Sequence, residues 1–175
     1  MELINATNLI RNEYLNPARE AQTWADLGCG QGLFTRALAG QLPPGSVIYA
    51  IDKANHFSAG TEKDQEVLIH FRQQDMEQDL NLPGLDGILM ANALHYVHDQ
   101  ESFVRQLKRY LNPGAALLVV EYDTDLPESR WVPYPLSFNT LKLLFQKAGF
   151  SNIEQLNRLP SLYGRGDLYS AMITF

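Results

Sequence analysis

Three glycines at every second position follow an acidic residue in the segment Asp26-Leu27-Gly28-Cys29-Gly30-Gln31-Gly32. Residues 23–25 before them are typical of the end of a strand, and apolar residues at helical spacing follow between positions 33 and 38. The glycines therefore lie on a turn between a strand and a helix. Glycine lets such a turn bend sharply and lets a ligand approach closer than any Cβ would permit. In open α/β sheets, this turn is where nucleotide-like ligands bind.

The spacing of the glycines distinguishes between ligands. A dinucleotide fingerprint has the pattern G-x-G-x-x-G, but counting from Gly28 its sixth position is Leu33. The pattern here is G-x-G-x-G, with the carboxylate of Asp26 just before it. A carboxylate repels a pyrophosphate and attracts an ammonium group, so the turn favours a ligand with a cationic amino-acid end.

A second acidic residue ends the next predicted strand. Residues 47–52 form that strand, and Asp52 lies 20 positions beyond Gly32. A carboxylate there can accept hydrogen bonds from both hydroxyls of a ribose, as in other nucleotide-binding βαβ units. Asp52 alone is compatible with NAD or with another adenosine ligand. The glycine spacing and Asp26 favour the second alternative.

With these residues, the chain resembles the class I S-adenosylmethionine-dependent methyltransferases of small-molecule type, from about residue 23 to the C-terminus. Five segments carry the resemblance, in the right order and each at the end of a predicted strand. They are DLGCGQG (26–32), YAID (49–52), QQDME (73–77), DGILMANALHYV (86–97) and LNPGAALLVVEYD (111–123).

The resemblance implies that S-adenosylmethionine is the cofactor and assigns its contacts residue by residue. The glycine loop follows the methionine part, the acidic residue before it orients the amino group, and the second acidic residue holds the ribose diol. A lysine and an Asp-Met pair are placed around the adenine, and an asparagine lies near the sulfonium. The cofactor-binding residues implied are Asp26, Gly28, Cys29, Gly30, Gly32, Asp52, Lys53, Asp75, Met76 and Asn92.

Strand and helix signals alternate along the chain, which predicts an α/β fold with parallel strands and crossover helices. Further strands are predicted at residues 67–71, 86–90 and 115–121, and residues 54–66 have weak helical periodicity. Asp99 is predicted to cap a helix through Leu111, and Ser137 to open another helix that stops at Gly149. A final hairpin is predicted over 153–159 and 167–175, with its turn at 163–166.

The resemblance implies how these elements are arranged. It implies one Rossmann-like, doubly wound domain over residues 1–175, with helices on both faces of a mostly parallel seven-stranded sheet of order 3-2-1-4-5-7-6. We expect residues 1–22 to form an N-terminal helical lid and residues 122–136 a substrate flap.

Composition excludes several classes of protein. The net charge of −6 argues against a nucleic-acid substrate, because phosphate binding relies on clustered lysine and arginine. The single cysteine, Cys29, fits a reducing compartment. No apolar run approaches the roughly 20 residues of a membrane span, and the N-terminus lacks a basic region followed by an apolar one. We therefore expect a soluble, cytoplasmic protein without a membrane partner, and leave its oligomeric state open.

Catalytic groups are less evident, because a methyl bound to sulfonium is already activated and needs mainly a well-placed nucleophile. If a base exists, His95 is the first candidate, although a histidine that packs or orders its loop is the more frequent case. His95 and His98 form an H-x-x-H pair, but no third ligand is evident, so no metal is predicted.

The acceptor pocket must come from segments that cover the strand ends. The substrate-binding candidates are Tyr14 in the N-terminal segment and Tyr122, Arg130 and Trp131 in the flap, whose aromatic residues are equally compatible with a structural role. The main hypothesis is methyl transfer to a small molecule by in-line displacement. The alternatives are a non-catalytic cofactor-binding subunit or sensor, an NAD-dependent oxidoreductase, and an RNA or protein methyltransferase.

Overall fold

Eight strands form one sheet in the computed structural model, which describes residues 1–55, 61–64, 66–128, 130–160 and 166–175. The strands are β1 (Thr23–Leu27), β2 (Val47–Asp52), β3 (Thr61–Asp64), β4 (Val67–Gln73), β5 (Leu85–Ala91), β6 (Leu111–Tyr122), β7 (Asn152–Leu159) and β8 (Leu168–Thr174). The α-helices are α1 (Leu3–Ile10), α2 (Leu33–Ala39), α3 (Gln100–Leu107) and α4 (Phe138–Lys147), and 3₁₀ turns cover Leu94–Tyr96 and Lys108–Tyr110.

The order of the strands is β3-β4-β2-β1-β5-β6-β8-β7. Without β3, the remaining strands counted along the chain have the predicted order 3-2-1-4-5-7-6, which confirms the predicted fold. The pairs among β4, β2, β1, β5 and β6 are parallel, whereas β8 runs antiparallel to both β6 and β7. The carboxyl ends of the five parallel strands therefore meet at one edge of the sheet.

One edge strand differs from its prediction. Instead of an irregular helix within residues 54–66, the chain forms β3, which pairs antiparallel with β4 in the register Thr61↔His70 to Asp64↔Val67. The outer edge of β4 presents unpaired backbone groups, and a neighbouring segment that pairs with them satisfies those groups. This tertiary pairing outweighs weak helical periodicity. Residues 56–60 and 65 of the predicted helix lie outside the described residues.

Helices cover both faces of the sheet, as predicted. Buried side chains alternate along the strands, so that Trp24 packs in one core with α1 and α2, while Ala25 packs in the other with α3 and α4. Ile88 and Leu89 of β5 divide between the two cores in the same way. The central strands are thereby buried on both sides, which keeps their carboxyl-terminal loops on a rigid support.

The predicted helix starts are confirmed, but one helix end is wrong. The side chains of Asp99 and Ser137 accept hydrogen bonds from the third residue beyond each, as N-caps do. Gly149, with φ +84°, follows α4 as expected. However, the α-helix ends at Leu107, a 3₁₀ turn continues it to Tyr110, and Leu111 already pairs with Leu85 at the start of β6.

The predicted C-terminal hairpin is present as the antiparallel pair β7 and β8. Residues 163–165 of its predicted turn lie outside the described residues.

Candidate functional site

The glycine loop after β1 is attached to the end of β2. The backbone N–H groups of Gly28 and Cys29 both donate to the carbonyl of Ile51, at 2.8 and 3.1 Å, and Gly32 closes the loop by donating to the carbonyl of Cys29 at 2.9 Å. Gly28, Gly30 and Gly32 all have positive φ, between +52° and +77°. Because L-residues adopt such angles only with strain, the glycines permit this tight path.

Gly28 and Gly30 have different structural roles. A Cβ added to Gly28 would lie 2.6 Å from the Cβ of Ala93, so this glycine permits close packing between the loop and the end of β5. A Cβ added to Gly30 would meet no atom of the described residues within 4 Å. Gly30 therefore borders open space, and that space is a cavity.

A cavity of about 440 Å³ runs along the carboxyl ends of β4, β2, β1 and β5. Each strand end contributes part of its wall, so the cavity depends on the parallel register of the sheet. Its described lining residues are Gly28, Cys29, Gly30, Asp52, Lys53, Ala54, Asp75, Met76, Glu77, Ala91, Asn92, Ala93 and Tyr96. Eight of the ten residues predicted to bind cofactor are in this set; Asp26 and Gly32 are not.

Asp52 is held rigidly in the middle of this wall. One carboxylate oxygen accepts a hydrogen bond from the N–H of Gly30 and the other accepts one from the N–H of Ala54, both at 2.8 Å. Each oxygen keeps a further lone pair for a ligand hydroxyl. The carboxylate is therefore preorganised as an acceptor and also joins the glycine loop to β2.

Asp26 lies behind the wall and is completely buried. The hydroxyl of Thr35 donates to its Oδ2 at 2.6 Å, whereas its Oδ1 has no hydrogen-bond partner among the described residues. The pKa of Asp26 is raised to about 7, mainly by burial; the Thr35 hydrogen bond lowers this pKa and the charge of Asp52 raises it, and both effects are included in that value. An unpartnered buried carboxylate oxygen fits a cationic ligand group, either directly or through water.

We expect Asp26→Asn to remove part of the pH dependence of stability. The folded pKa of Asp26 lies above its unfolded value, so the native state binds the extra proton, and Asp26 contributes stability at low pH that is lost as pH rises towards 7. Between pH 5.5 and 7.5 the loss amounts to about 2 kcal/mol. Asparagine stays neutral and can still accept from Thr35.

Urea unfolding of both proteins without cofactor at these two pH values measures the difference. Subtracting the two profiles cancels the histidine titrations that they share. Parallel profiles for wild type and Asp26→Asn would contradict the assignment.

The segment after β4 contributes Asp75 and Met76 to the cavity. The Oδ1 of Asp75 accepts a hydrogen bond from the N–H of Glu77 at 3.0 Å, which orients the carboxyl group. Cys29 also lines the cavity, and burial raises the pKa of its thiol, with Asp26 and Asp52 adding to the effect. Cys29 is therefore a packed thiol rather than a nucleophile.

Asn92 has an unusual backbone at the end of β5. Its φ is +53°, its N–H donates to the carbonyl of Val120 at 2.8 Å, and its Oδ1 is buried without a partner among the described residues. A non-glycine residue in this region is strained, and such strain clusters at binding sites. Asn92 lines the cavity.

His95 is not part of the described cavity wall. Its side chain is buried against Glu121, with Nδ1 2.5 Å from Oε2 of that carboxylate. The next residue, Tyr96, lines the cavity instead and is 46% exposed. Sequence reasoning missed Tyr96, although it lies in the same segment as Asn92 and His95, because nothing in the spacing shows which side chain of a 3₁₀ turn faces the cavity.

Tyr14 lies at the opposite edge of the sheet. Its hydroxyl donates to the carbonyls of Asp86 and Gly114, near the starts of β5 and β6, and its ring packs edge-on against Trp24. The structure therefore does not bring Tyr14 to the cavity. The helix of the predicted lid, α1, is also packed on a sheet face through Ala6, Leu9 and Ile10.

The predicted flap borders a second cavity of about 370 Å³ beyond the end of β6. Tyr122 lines it, together with Leu126, Val132 and other flap residues. Arg130 and Trp131 are exposed and line neither described cavity, and Trp131 shows 57% of its surface. Of the four substrate-binding candidates, the structure thus places one at a cavity near this edge.

The described residues also bear on metal binding and on membrane insertion. They contain no group of three or more histidine, cysteine, aspartate or glutamate side chains arranged to hold a metal ion. No helix in the described part of the chain combines the length and apolar character needed to cross a membrane.

The family model described as a methyltransferase domain matches residues 25–119, more than half of the chain. The chain belongs to this family. The matched part of the chain is a methyltransferase domain. The glycine loop, Asp52 and Asp75 all fall within the matched residues.

Two curated relatives are named for small-molecule substrates. Trans-aconitate 2-methyltransferase from Deinococcus radiodurans is 31% identical over 60% of this chain and 40% of its own length. Norajmaline N-methyltransferase from Rauvolfia serpentina is 29% identical over 63% of this chain and 39% of its own length. The matches thus cover about two-fifths of the length of these curated relatives.

Solved structures share the fold at low identity. The 1,6-didemethyltoxoflavin-N1-methyltransferase of Burkholderia thailandensis, solved with its substrate and S-adenosylhomocysteine, has a TM-score of 0.70 at 16% identity, covering 99% of this chain and 78% of that one. Human N-acetylserotonin methyltransferase in complex with S-adenosylmethionine has a TM-score of 0.67 at 18% identity, covering 98% of this chain and 51% of that one.

Proposed function

We propose that this methyltransferase transfers a methyl group from S-adenosylmethionine to a small-molecule acceptor. The observation that carries the proposal is the cavity of about 440 Å³ that ends at Asn92, Ala93 and Tyr96 on one side and at Asp75 on the other. The named relatives methylate small molecules, and the net charge of −6 disfavours a polyanionic partner.

Within that cavity, we assign the residues to parts of the cofactor. Asp52, already fixed by two backbone N–H groups, holds the ribose diol, and Asp75 accepts from the adenine amine beside Met76 and Lys53. We assign the unpartnered oxygen of Asp26, which lies behind the wall, to the cationic amino group of the cofactor, which it contacts directly or through water. Gly30 leaves the wall open where the cofactor must approach the backbone.

The acceptor end of the cavity is the carboxyl end of β5. The bound cofactor supplies an activated methyl group, so the protein's contribution is to hold the acceptor in line with it and exclude water. Tyr96, half-exposed at the cavity, is the side chain best placed to contact the acceptor. Tyr122 extends the same edge into the second cavity.

A transfer assay with radiolabelled methyl groups tests the proposal. Purified protein is incubated with S-adenosylmethionine and pools of carboxylic acids, phenols, amines, thiols and activated carbon acids, and label in the small-molecule fraction is counted. Label that requires an acceptor pool supports the proposal, and the pool names the accepting atom. Binding of S-adenosylhomocysteine without transfer to any pool would favour a non-catalytic subunit, and label in added RNA or protein would favour a macromolecular acceptor; both outcomes overturn the proposal.

A further inference from the structure

Glu121 is a buried carboxylate at the carboxyl end of β6, with 1% of its side chain exposed. Both of its oxygens contact the same residue. Oε1 accepts a hydrogen bond from the backbone N–H of His95 at 3.2 Å, and Oε2 lies 2.5 Å from Nδ1 of the imidazole. The carboxylate therefore fixes both the backbone and the ring orientation of His95.

The residues on either side of His95 form part of the cavity wall. Ala93 and Tyr96 line the cavity, and the N–H of Tyr96 donates to the carbonyl of Ala93 at 3.1 Å. Ala93 also packs so closely on Gly28 that no Cβ fits between them. A small displacement of this turn would therefore move the wall against the glycine loop.

The flap reaches the same turn from the other side. The N–H of Tyr134 donates to the carbonyl of His95 at 3.0 Å. The side-chain amide of Gln100 donates both to the carbonyl of Leu94, at 3.2 Å, and to the carbonyl of Tyr134, at 2.9 Å. The turn is thus held from β6, from α3 and from the flap, with His95 at the centre of these contacts.

The buried pair of Glu121 and His95 is not well explained by a contribution to folding stability alone. Removing two ionisable groups from water offsets most of their mutual attraction, so a buried pair adds little net free energy of folding, whereas its geometry is specific. We propose that Glu121 is a positioning residue of the cofactor cavity, which holds, through His95, the turn that carries Ala93 and Tyr96 into the wall. This proposal rests on the cofactor cavity and not on the identity of the acceptor.

Calorimetric titration with S-adenosylhomocysteine tests the proposal in a double-mutant cycle. We expect Glu121→Ala and His95→Ala each to weaken binding about tenfold, and the double variant to be no weaker than either, because both changes release the same turn. Glu121→Gln keeps an oxygen for the backbone N–H of His95, and we expect it to restore affinity to within about threefold of wild type.

Glu101→Gln is the matched control, because Glu101 pairs with Arg105 on the exposed side of α3, and we expect it to bind like wild type. Titrations are run well below each variant's melting temperature, so that lost stability does not register as lost affinity. If an alanine variant does not fold, Glu121→Leu and His95→Phe, which keep most of the side-chain volume but cannot form the pair, provide the same cycle.

Unchanged affinity in Glu121→Ala, or losses that add in the double variant, would overturn the proposal. No acceptor is present in the titration, so failure of the proposed small-molecule methylation leaves this test unaffected.

Discussion

Replacing Asp52 by alanine is expected to weaken binding of S-adenosylhomocysteine by about a hundredfold or more. The carboxylate lines the cavity, and each hydrogen bond that it makes to a ligand hydroxyl is charge-assisted and contributes about 1.5–3 kcal/mol. Alanine also leaves the N–H groups of Gly30 and Ala54 without their acceptor, which loosens the glycine loop. Isothermal titration calorimetry measures the affinity, and thermal denaturation with and without ligand gives an independent reading.

Asp52→Asn separates the two effects of this change. Asparagine keeps one carbonyl oxygen and nearly the same volume, so we expect an intermediate loss of about tenfold, from the missing charge and one missing acceptor. NAD should not raise the melting temperature of any of these proteins. An Asp52→Ala protein that binds S-adenosylhomocysteine like wild type, or a wild-type protein stabilised by NAD instead, would contradict the assigned cavity.

Replacing Gly28 by alanine is expected to lower the free energy of unfolding by about 2–4 kcal/mol. The new Cβ would meet the Cβ of Ala93 at 2.6 Å, and φ at this position is +77°, where an L-residue is strained. The loop and the end of β5 must separate to admit the methyl group, so the cavity wall shifts and S-adenosylhomocysteine binds more weakly. Urea denaturation measures the stability.

Gly30→Ala is the matched control. It has the same kind of backbone strain, with φ +52°, but its Cβ meets no atom within 4 Å in the part of the chain that the structure describes, so we expect a loss of only about 1 kcal/mol. In the double variant Gly28→Ala/Ala93→Gly, the clashing methyl group is removed, and we expect part of the lost stability to return. Equal destabilisation by Gly28→Ala and Gly30→Ala would show that packing against Ala93 is unimportant.

Local chemistry made the cavity at the strand ends the most predictable part of this protein. Asp52 comes at the end of an apolar strand, and the carboxyl ends of neighbouring parallel strands meet at one edge, so its place beside the glycine loop was predictable from the residues, whereas the place of Asp75 was implied by the family resemblance. Asp99 and Ser137 were predictable as helix caps for a similar reason, since a cap acts within four residues of its own position.

The contacts made across the sheet were not predictable in this way. Glu121 and His95 are 26 positions apart, and their pairing depends on how far β6 extends beside β5. Tyr14 was predicted to contact the substrate because it lies in the N-terminal segment, yet its hydroxyl binds two carbonyls at the opposite edge of the sheet.

The sequence by itself predicted a strand-turn-helix suited to a cationic nucleoside and an acidic residue at the end of the next strand. These features depend on residue type, short spacing and burial pattern, which a linear chain displays directly, whereas the strand order was implied by the resemblance to a methyltransferase family. Only the tertiary structure decided that Tyr96 rather than His95 faces the cavity, that Asp26 is buried with an unpartnered oxygen, and that β3 extends the sheet. Those outcomes depend on strand register and on the paths of loops, where residues distant in the chain compete for the same space.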